Sequence, residues 1–280
     1  MSNKVSIIGT VGLPAKYGGF ETLAEYLTKY LAEKYSLTVY CSSKSYEQKL
    51  DYYNQAKLVY LPLNANGVQS IPYDITSIAK SLRYADTLLI LGVSGCIVLP
   101  IIKFISRKKI IVNIDGLEWK RGKWNKYAKW FLKYSEKLAV NNADIVITDN
   151  KVIQDYVKIE YKKDSELIAY GADHVENLNL SQQVIDSFSF LKQRYAFTVC
   201  RIEPENNLHI ILQAMAKQNS LQVLIIGNWD GSQYGIDLRA KYKGFAHIHL
   251  IDPIYDQQIL NQIRSNCYIY LHGHSAGGTN

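Results

Sequence analysis

A glycine-rich loop near the N-terminus constrains the fold of this chain more than any other stretch. The short apolar run at residues 5–8 ends at Gly9 and is typical of a buried strand. Residues 9–19 contain four glycines and a proline, so they cannot continue as regular structure. From residue 20 to residue 34, apolar side chains recur at helical spacing with charged residues between them. The chain therefore opens with a strand, a loop and a helix.

Gly18 and Gly19 stand directly before this first helix. Backbone N–H groups of such a loop can approach an anion closely, and the N-terminus of the helix favours negative charge. We therefore predict that Gly18 and Gly19 bind phosphate groups of a ligand. The alternative is an ordinary tight turn in a doubly wound sheet, which needs the same residues.

The rest of the chain alternates between strands and helices, which is typical of parallel α/β sheets. The first alternation predicts strands at residues 37–41, 57–61, 87–91, 109–114, 145–148 and 166–169, and helices at 74–84, 96–105, 124–142 and 151–160. The second predicts strands at residues 197–200, 221–227, 248–251 and 267–271, and helices at 208–217 and 257–265. Between them, residues 173–195 have no clear apolar period. We predict a first domain at residues 1–172, a linker at 173–195 and a second domain at 196–280.

The second alternation stops at residue 280, inside another glycine-rich loop that begins at His272. A helix normally follows such a loop in a parallel α/β domain. We therefore expect the second lobe to be incomplete.

The composition predicts a folded protein of the cytoplasm. Its 280 residues suffice for two cores, and 48% hydrophobic against 20% charged residues excludes a disordered chain. The four cysteines are far apart and lie in or beside predicted strands, which is typical of buried thiols in a reducing compartment. We find no signal-peptide pattern. The apolar stretch 87–105 is broken by glycines, a proline and a lysine, so we predict no transmembrane segment.

The net charge of +7 belongs to the first domain. Up to residue 172 there are 24 basic and 16 acidic residues, whereas the remainder has 8 and 9. The basic residues are densest at 103–137, where eleven stand against three acidic ones. Such a patch suits nucleic acid, an anionic membrane or a phosphorylated substrate.

The predicted helix at residues 124–142 lies within this basic region. We predict an apolar stripe of Trp124, Tyr127, Phe131, Tyr134 and Leu138. We also predict a second face, suited to a membrane interface, of Lys126, Trp130, Lys133 and Lys137. The alternative is a soluble helix on which lysine stems cover an aromatic ring.

Four motifs at the ends of predicted strands carry a family resemblance. They are GLPAKYGGFET at residues 12–22, DGLEWKR at 115–121, RIEPENN at 201–207 and HGHSAGGTN at 272–280. Together, and in this order, they resemble bacterial rhamnosyltransferases with the GT-B fold, in the broad glycosyltransferase family 4 group. The resemblance runs from residue 4 to the end of the chain.

The resemblance implies an α/β fold of the GT-B type, with two Rossmann-like lobes of parallel sheets that face a cleft. The acceptor is expected on the first lobe and the nucleotide sugar on the second. Ligands of open α/β sheets bind at the carboxyl ends of strands, where the motifs stand. The implied donor-binding residues are Gly18, Gly19, Arg201, Glu205, Asn206, His274, Ser275, Gly277, Gly278 and Thr279. The implied acceptor-binding residues are Tyr17, Phe20, Glu118, Trp119 and Arg121.

Arg201 and Asp115 are the implied catalytic residues. A guanidinium at the end of the first strand of the second lobe can clamp a diphosphate and stabilise charge as it leaves. Relatives usually carry a lysine five residues later, where this chain has Asn206. Asp115 stands where many relatives have a histidine close to the transferred sugar, and a carboxylate there can accept a hydrogen bond from the acceptor hydroxyl. Alternatively, Arg201 is a surface arginine in a turn and Asp115 caps the turn before Glu118.

The sequence thus predicts a glycosyltransferase at the inner face of the cell membrane. It is expected to move L-rhamnose from dTDP-L-rhamnose to a lipid diphosphate-linked saccharide, with retention and without a metal or other cofactor, and not to bind nucleic acid. His272 and His274 lack nearby carboxylates for a metal site, and the chain has no Asp-X-Asp sequence.

Two other functions remain open. A nicotinamide-dependent oxidoreductase also has Rossmann-like lobes, although the spacing of Gly9 and Gly12 and the lack of an acid after Cys41 oppose it. A non-catalytic binding remnant is the other alternative.

Overall fold

A computed structural model describes residues 3–16, 18–114, 116–120, 124–172 and 175–274 of the chain. The chain divides into two compact units between Tyr170 and Gly171. Each unit is built on a sheet of mainly parallel strands. The α/β class predicted from the alternation of strands and helices is therefore confirmed.

Among the described residues, the sheet of the first unit has eight strands. They are β1 (Lys4–Ile8), β2 (Ser36–Ser42), β3 (Tyr52–Tyr53), β4 (Ala56–Leu61), β5 (Thr87–Leu91), β6 (Lys109–Ile114), β7 (Ile145–Thr148) and β8 (Glu166–Leu167). Their spatial order is β3-β4-β2-β1-β5-β6-β7-β8, and β3 alone pairs antiparallel. The chain builds outward from β1 to both sides, so the strand order reverses between β1 and β5. Such a reversal opens a crevice at the carboxyl ends of the two strands, where open α/β sheets bind their ligands.

The helices of the first unit cover both faces of this sheet. They are α1 (Gly19–Leu31), α2 (Ser70–Ser81), α3 (Leu99–Ile105), α4 (Lys126–Asn142) and α5 (Lys151–Tyr161). Consecutive strand residues Ile7 and Ile8 belong to different hydrophobic cores, because successive side chains of a strand point to opposite faces. Asn125 caps α4 by accepting a hydrogen bond from Ala128 N–H at 2.9 Å.

The second unit has a four-stranded parallel sheet in its described part. Its strands are β9 (Tyr195–Val199), β10 (Gln222–Ile226), β11 (Ile248–Ile251) and β12 (Ile269–Tyr270), in the order β11-β10-β9-β12. Its helices are α6 (Gln182–Ser187), α7 (Leu208–Met215), α8 (Gln233–Tyr242) and α9 (Gln257–Ser265). The order reverses between β9 and β12, and their carboxyl ends form the equivalent crevice.

The predicted linker is folded in its second half. Helix α6 and a 3₁₀ turn at Ser189–Lys192 bury Val184 and Leu191 in a core of the second unit. At six and four residues, the helix and the turn are too short to show an apolar period, so the sequence predicts only a linker there. Of the helices in the described residues, none is long and apolar enough to cross a bilayer.

Candidate functional site

The glycine-rich loop of the first unit is held by two carboxylates that reach back from α1. Val11 N–H donates to Glu21 Oε1 at 2.6 Å, and Ala15 N–H donates to Glu25 Oε2 at 2.8 Å. The other oxygen of the second carboxylate, Glu25 Oε1, accepts the hydroxyl of Tyr53 at 2.5 Å. Glu21 is only 7% exposed. Backbone donors that would otherwise cradle an external anion are therefore occupied by the chain's own carboxylates.

Two buried tyrosines also fix this loop. Tyr73 donates its hydroxyl to the carbonyl oxygen of Thr10 at 2.9 Å, and Tyr46 donates to that of Pro14 at 2.9 Å. Both aromatic side chains belong to the buried set of the first unit. The loop is therefore braced at several points along its length.

The glycines of the loop have different roles. A Cβ at Gly9 (φ +93°) would lie 2.0 Å from the carbonyl oxygen of Leu91, so this position admits the close approach of β5. A Cβ at Gly18 (φ +133°) would lie 1.8 Å from Glu21 Oε2, so this position makes room for the carboxylate. At Gly19 a Cβ would meet nothing within 4 Å. Donor binding by Gly18 and Gly19 stays a prediction.

Phe20 lies at the crevice between β1 and β5. A Cβ on Gly92, the first residue after β5, would lie 3.4 Å from Phe20 Cε2. The ring therefore rests against the carboxyl end of β5, and the side chain remains partly exposed. Phe20, one of the predicted acceptor-binding residues, thus lies at the carboxyl edge of the sheet, where such folds bind their ligands.

Several predicted site residues lie outside the described part of the chain. They are Tyr17, Asp115, Arg121, Ser275, Gly277, Gly278 and Thr279.

Glu118 and Trp119 form a 3₁₀ turn with Lys120 after β6. Trp124 donates its indole N–H to Glu118 Oε1 at 2.9 Å, which ties the turn to the start of α4. Trp119 Nε1 is buried and has no hydrogen-bond partner among the described residues. The ammonium nitrogen of Lys133 lies 4.7 Å from the centre of this indole ring, within range of a cation–π interaction.

Lys133 does not lie on the exposed face where it was predicted. Its ammonium nitrogen is 2.9 Å from Glu160 Oε1 and 3.7 Å from Glu136 Oε1, and it also bonds to the hydroxyl of Tyr156. Burial lowers the pKa of Lys133, but the hydrogen bonds to Tyr156 and Glu160 outweigh this effect and its pKa is raised. Helical spacing groups it with Trp130, yet the carboxylates on α4 and α5 draw the side chain inward. The membrane-facing assignment is therefore wrong for Lys133.

The buried face of α4 also differs from the predicted apolar stripe. Tyr127 is 85% exposed and Tyr134 is 42% exposed, and the latter stacks on the exposed ring of Trp130 at 5.8 Å. The side chains that pack inward are Leu132, Ser135, Glu136, Ala139 and Val140. The hydroxyl of Ser135 donates to the carbonyl oxygen of Val93 at 2.5 Å, so contact with the loop after β5 selects this face. Lys126 and Lys137 are exposed as predicted.

In the second unit, a hydrogen bond joins the loops after β9 and β12 at the crevice. Asn206 donates its side-chain amide to the carbonyl oxygen of Arg201 at 2.6 Å, and Asn207 donates to that of Gly273 at 2.8 Å. A Cβ on Gly273 would lie 2.5 Å from the carbonyl oxygen of Asn206, so only glycine allows this approach. Asn206 thus holds the backbone of the Arg201 loop. Glu205 lies in the same 3₁₀ turn, Pro204–Asn206, and is partly exposed.

His274 and Arg201 come together at this crevice. Burial, then the neighbouring His272 and the Arg201 guanidinium, lower the pKa of His274 to about 4. Its ring stacks on that of His272 at 4.3 Å. Both ring nitrogens of His274 are buried and have no hydrogen-bond partner among the described residues. A neutral imidazole with one donor and one acceptor nitrogen is therefore available beside an exposed cation.

The sequence interpretation missed four residues that build these two sites. Glu21 and Glu25 are among the charged residues between the apolar positions of α1 and received no role of their own, although two acids in the first turns of a helix after a glycine-rich loop indicate contacts to that loop. Asn207 (φ +51°) and Gly273 were part of motifs without a role of their own. An asparagine in a turn is a signal for the left-handed conformation that Asn207 adopts.

Within the described residues, no group of three or more His, Cys, Asp or Glu side chains is arranged to hold a metal ion.

A family model described as "Domain of unknown function (DUF1972)" matches residues 2–173. The chain belongs to this family. The DUF1972 match covers the first unit with its braced glycine-rich loop. Among curated proteins, none matches the sequence significantly.

Solved structures share the fold over nearly the whole chain. The sucrose-phosphate synthase of Thermosynechococcus elongatus has a TM-score of 0.78 at 15% identity, over 96% of this chain and 74% of that one. Anabaena HepE in complex with UDP-glucose has a TM-score of 0.70 at 14% identity, over 96% and 73%. A putative UDP-N-acetylglucosamine 2-epimerase from Listeria monocytogenes has a TM-score of 0.57 at 14% identity, over 96% and 74%. These similarities confirm the predicted GT-B type of fold for this DUF1972 protein.

Proposed function

We propose that this DUF1972 protein is a glycosyltransferase whose second unit binds a nucleotide sugar. The observation that carries the proposal lies at the crevice of β9 and β12, where the Arg201 guanidinium helps to lower the pKa of His274. The neutral ring of His274 has no hydrogen-bond partner among the described residues. A diphosphate needs a cation, and the groups around it need hydrogen-bond donors and acceptors. HepE, which shares the fold, was solved with UDP-glucose, and this supports a nucleotide sugar as the donor.

In the proposed reaction, the guanidinium of Arg201 binds the diphosphate of the donor. Negative charge grows on that diphosphate as the bond to the sugar breaks, so the contact strengthens toward the transition state. The leaving phosphate takes the proton of the acceptor hydroxyl, which is consistent with retention of configuration. We propose that the arginine provides this stabilisation without a metal ion.

The donor and acceptor follow from the motif resemblance. We propose L-rhamnose from dTDP-L-rhamnose as the donor and a lipid diphosphate-linked saccharide as the acceptor. The acceptor is assigned to the first unit, with Phe20 at the crevice of β1 and β5 and with Asp115 close to the reacting hydroxyl. The exposed side chains of Lys126, Trp130 and Lys137 are proposed to face the anionic inner surface of the cell membrane.

The test is a calorimetric titration of the full chain with dTDP, UDP and NAD. We expect heat of binding with a nucleoside diphosphate and none with NAD. Arg201→Ala should abolish that binding, whereas Arg239→Ala should leave it unchanged, because Arg239 on α8 is engaged by Asp252 at 3.0 Å.

Two results would contradict the proposal. Binding of NAD alone would favour the oxidoreductase. Binding of a nucleotide sugar followed by its isomerisation, without transfer to an acceptor, would favour the epimerase chemistry named for the Listeria protein.

A further inference from the structure

Helix α3 exposes an apolar face that its own unit does not cover. Ile101, Phe104 and Ile105 are 63%, 91% and 61% exposed, and their spacing places them on one side of the helix. On the opposite side, Leu99 and Ile102 are buried in the core of the first unit. Helix α3 is therefore anchored by one face and presents large apolar side chains to water on the other.

A basic groove begins where α3 ends. It has a volume of about 510 Å³ and is lined by Lys103, Ser106, Arg107, Lys108, Lys109 and Asp144. Four cationic side chains thus surround one carboxylate.

That carboxylate is already engaged. Asp144 forms an ion pair with Lys103, and its Oδ2 accepts Ile110 N–H at 2.8 Å. Burial raises the pKa of Asp144, but the bonds from Lys103 and the amide of Ile110 outweigh it, so its pKa is lowered and it stays ionised. With four cationic side chains and one carboxylate, the described lining of the groove keeps an excess of positive charge.

The groove and the apolar face lie away from the proposed substrate sites. Lys109 begins β6, so the groove is at the amino-terminal edge of the sheet, whereas the crevice of β1 and β5 is at the carboxyl edge. Neither feature is needed to bind donor or acceptor.

We propose that α3 and this basic groove form a docking surface for an anionic lipid bilayer. The side chains of Ile101, Phe104 and Ile105 enter the boundary between headgroups and acyl chains, and the groove binds phosphate groups of the lipids. A bilayer offers an apolar layer directly beneath a layer of negative charge, which matches the order of these two features. A second copy of the chain would bring like charges together, and a soluble anion would leave the apolar face uncovered.

This surface goes beyond the proposed function, which assigns membrane contact to α4 alone. It also does not depend on the identity of the sugar. A protein with no transferase activity would still bind vesicles if the surface is correctly assigned.

The experiment is co-sedimentation of the full chain with vesicles of phosphatidylcholine, with and without phosphatidylglycerol. We expect binding only to the anionic vesicles. The double variant Lys108→Ala, Lys109→Ala should lower the partition coefficient about thirtyfold, since each cation contributes about a fivefold effect. Phe104→Ser should lower it by about tenfold or more, because its ring no longer enters the bilayer.

Matched controls lie elsewhere on the first unit. Val152→Ser removes an apolar side chain on α5 that is 76% exposed, and Lys34→Ala with Lys49→Ala removes two exposed lysines. Both controls should bind vesicles as the unchanged chain does. Calorimetric binding of the nucleotide should be the same in all variants, so failure of the donor site is distinguished from failure of this surface.

Three outcomes would overturn the proposal. The first is no binding of the unchanged chain to anionic vesicles. The second is equal binding by the Phe104 and Lys108/Lys109 variants. The third is binding that inorganic phosphate abolishes and that Phe104→Ser leaves intact, which would indicate a soluble-anion site instead.

Discussion

The ammonium nitrogen of Lys133 lies 4.7 Å from the centre of the Trp119 ring. The same nitrogen lies 4.8 Å and 5.0 Å from the rings of Tyr156 and Tyr161. One lysine on α4 therefore joins the turn after β6 to the aromatic side chains of α5. Through this contact, a residue of α4 helps to hold a turn that was predicted to bind the acceptor.

Replacing Lys133 with Met keeps the length of the side chain and removes its charge. Glu136 is fully buried and would keep its bonds from tyrosine hydroxyls but lose the cation. We expect the free energy of unfolding to fall by about 2 to 4 kcal/mol, and amide hydrogen exchange in residues 116–120 to accelerate. Lys137→Met, one turn further along α4 and exposed, should change stability by less than about 0.5 kcal/mol. Equal effects of the two substitutions would refute a positioning role for Lys133.

The neighbouring glycines before α1 should respond differently to alanine. Gly18→Ala places a Cβ 1.8 Å from Glu21 Oε2 in a backbone conformation that alanine rarely adopts. We expect it to cost about 2 kcal/mol in chemical denaturation. Gly19→Ala meets open space at the first residue of a helix and should be neutral, or stabilising by up to about 1 kcal/mol. Lower affinity of the Gly19 variant for the nucleotide would support donor binding by this loop.

Asp74 should make the protein less stable as the pH rises. It is buried, its Oδ1 has no partner among the described residues, and burial raises its pKa well above the ordinary 3.8. Above pH 3.8 the unfolded chain ionises this carboxyl while the folded chain keeps the proton, so stability is lost with rising pH. Asp74→Asn should remove that loss. The free energy of unfolding of the Asn variant, relative to that of the parent, should rise by about 1.4 kcal/mol per pH unit until the pKa of Asp74 in the folded protein is passed.

Denaturant unfolding of both proteins at pH 4 and pH 7 measures this effect. If the difference in unfolding free energy between the asparagine variant and the parent is the same at both pH values, Asp74 titrates normally.

The imidazole of His274 should remain neutral down to about pH 4. Because its folded pKa lies below the ordinary 6.5, the stability it contributes is present above pH 6.5 and is lost as the pH falls toward 4. The ring Cε1–H resonance, assigned with His274→Gln, should titrate with a midpoint near 4. A nucleoside diphosphate should raise that midpoint, since a nearby anion favours the imidazolium. A midpoint near 6.5 without ligand would mean that the ring is solvated.

The sequence predicted the strands more accurately than the helix faces. Strands β5, β6 and β7 have the bounds that their apolar runs predicted, because strands inside a parallel sheet give nearly continuous apolar runs in the sequence. Helix α8 was missed because its apolar period is weak: Ile236 is 43% exposed, and Gly235 instead packs close to the carbonyl of Trp229. The prediction of the inward face of α4 was wrong because tertiary contacts bury small and polar side chains there and leave aromatic ones exposed.

Sequence motifs identified where the candidate sites lie but not how they are built. Arg201 and His274 were both predicted, and they meet because β9 and β12 are neighbours. The bond from Asn207 to Gly273 joins residues 66 positions apart, and no local pattern predicts such a pair. Likewise, the helical period of α1 shows which residues share a face, but not that Glu21 turns back to Val11 N–H.

The carboxylates of Glu21 and Glu25 complete the glycine-rich loop without any ligand. An empty phosphate loop would have to give up conformational freedom each time it closes on a substrate, and part of the binding energy would be lost to that ordering. Here the ordering is already done in the folded chain. An acceptor that reaches the first unit would meet a rigid surface and would be selected by shape, with fast association and little dependence on a closing motion.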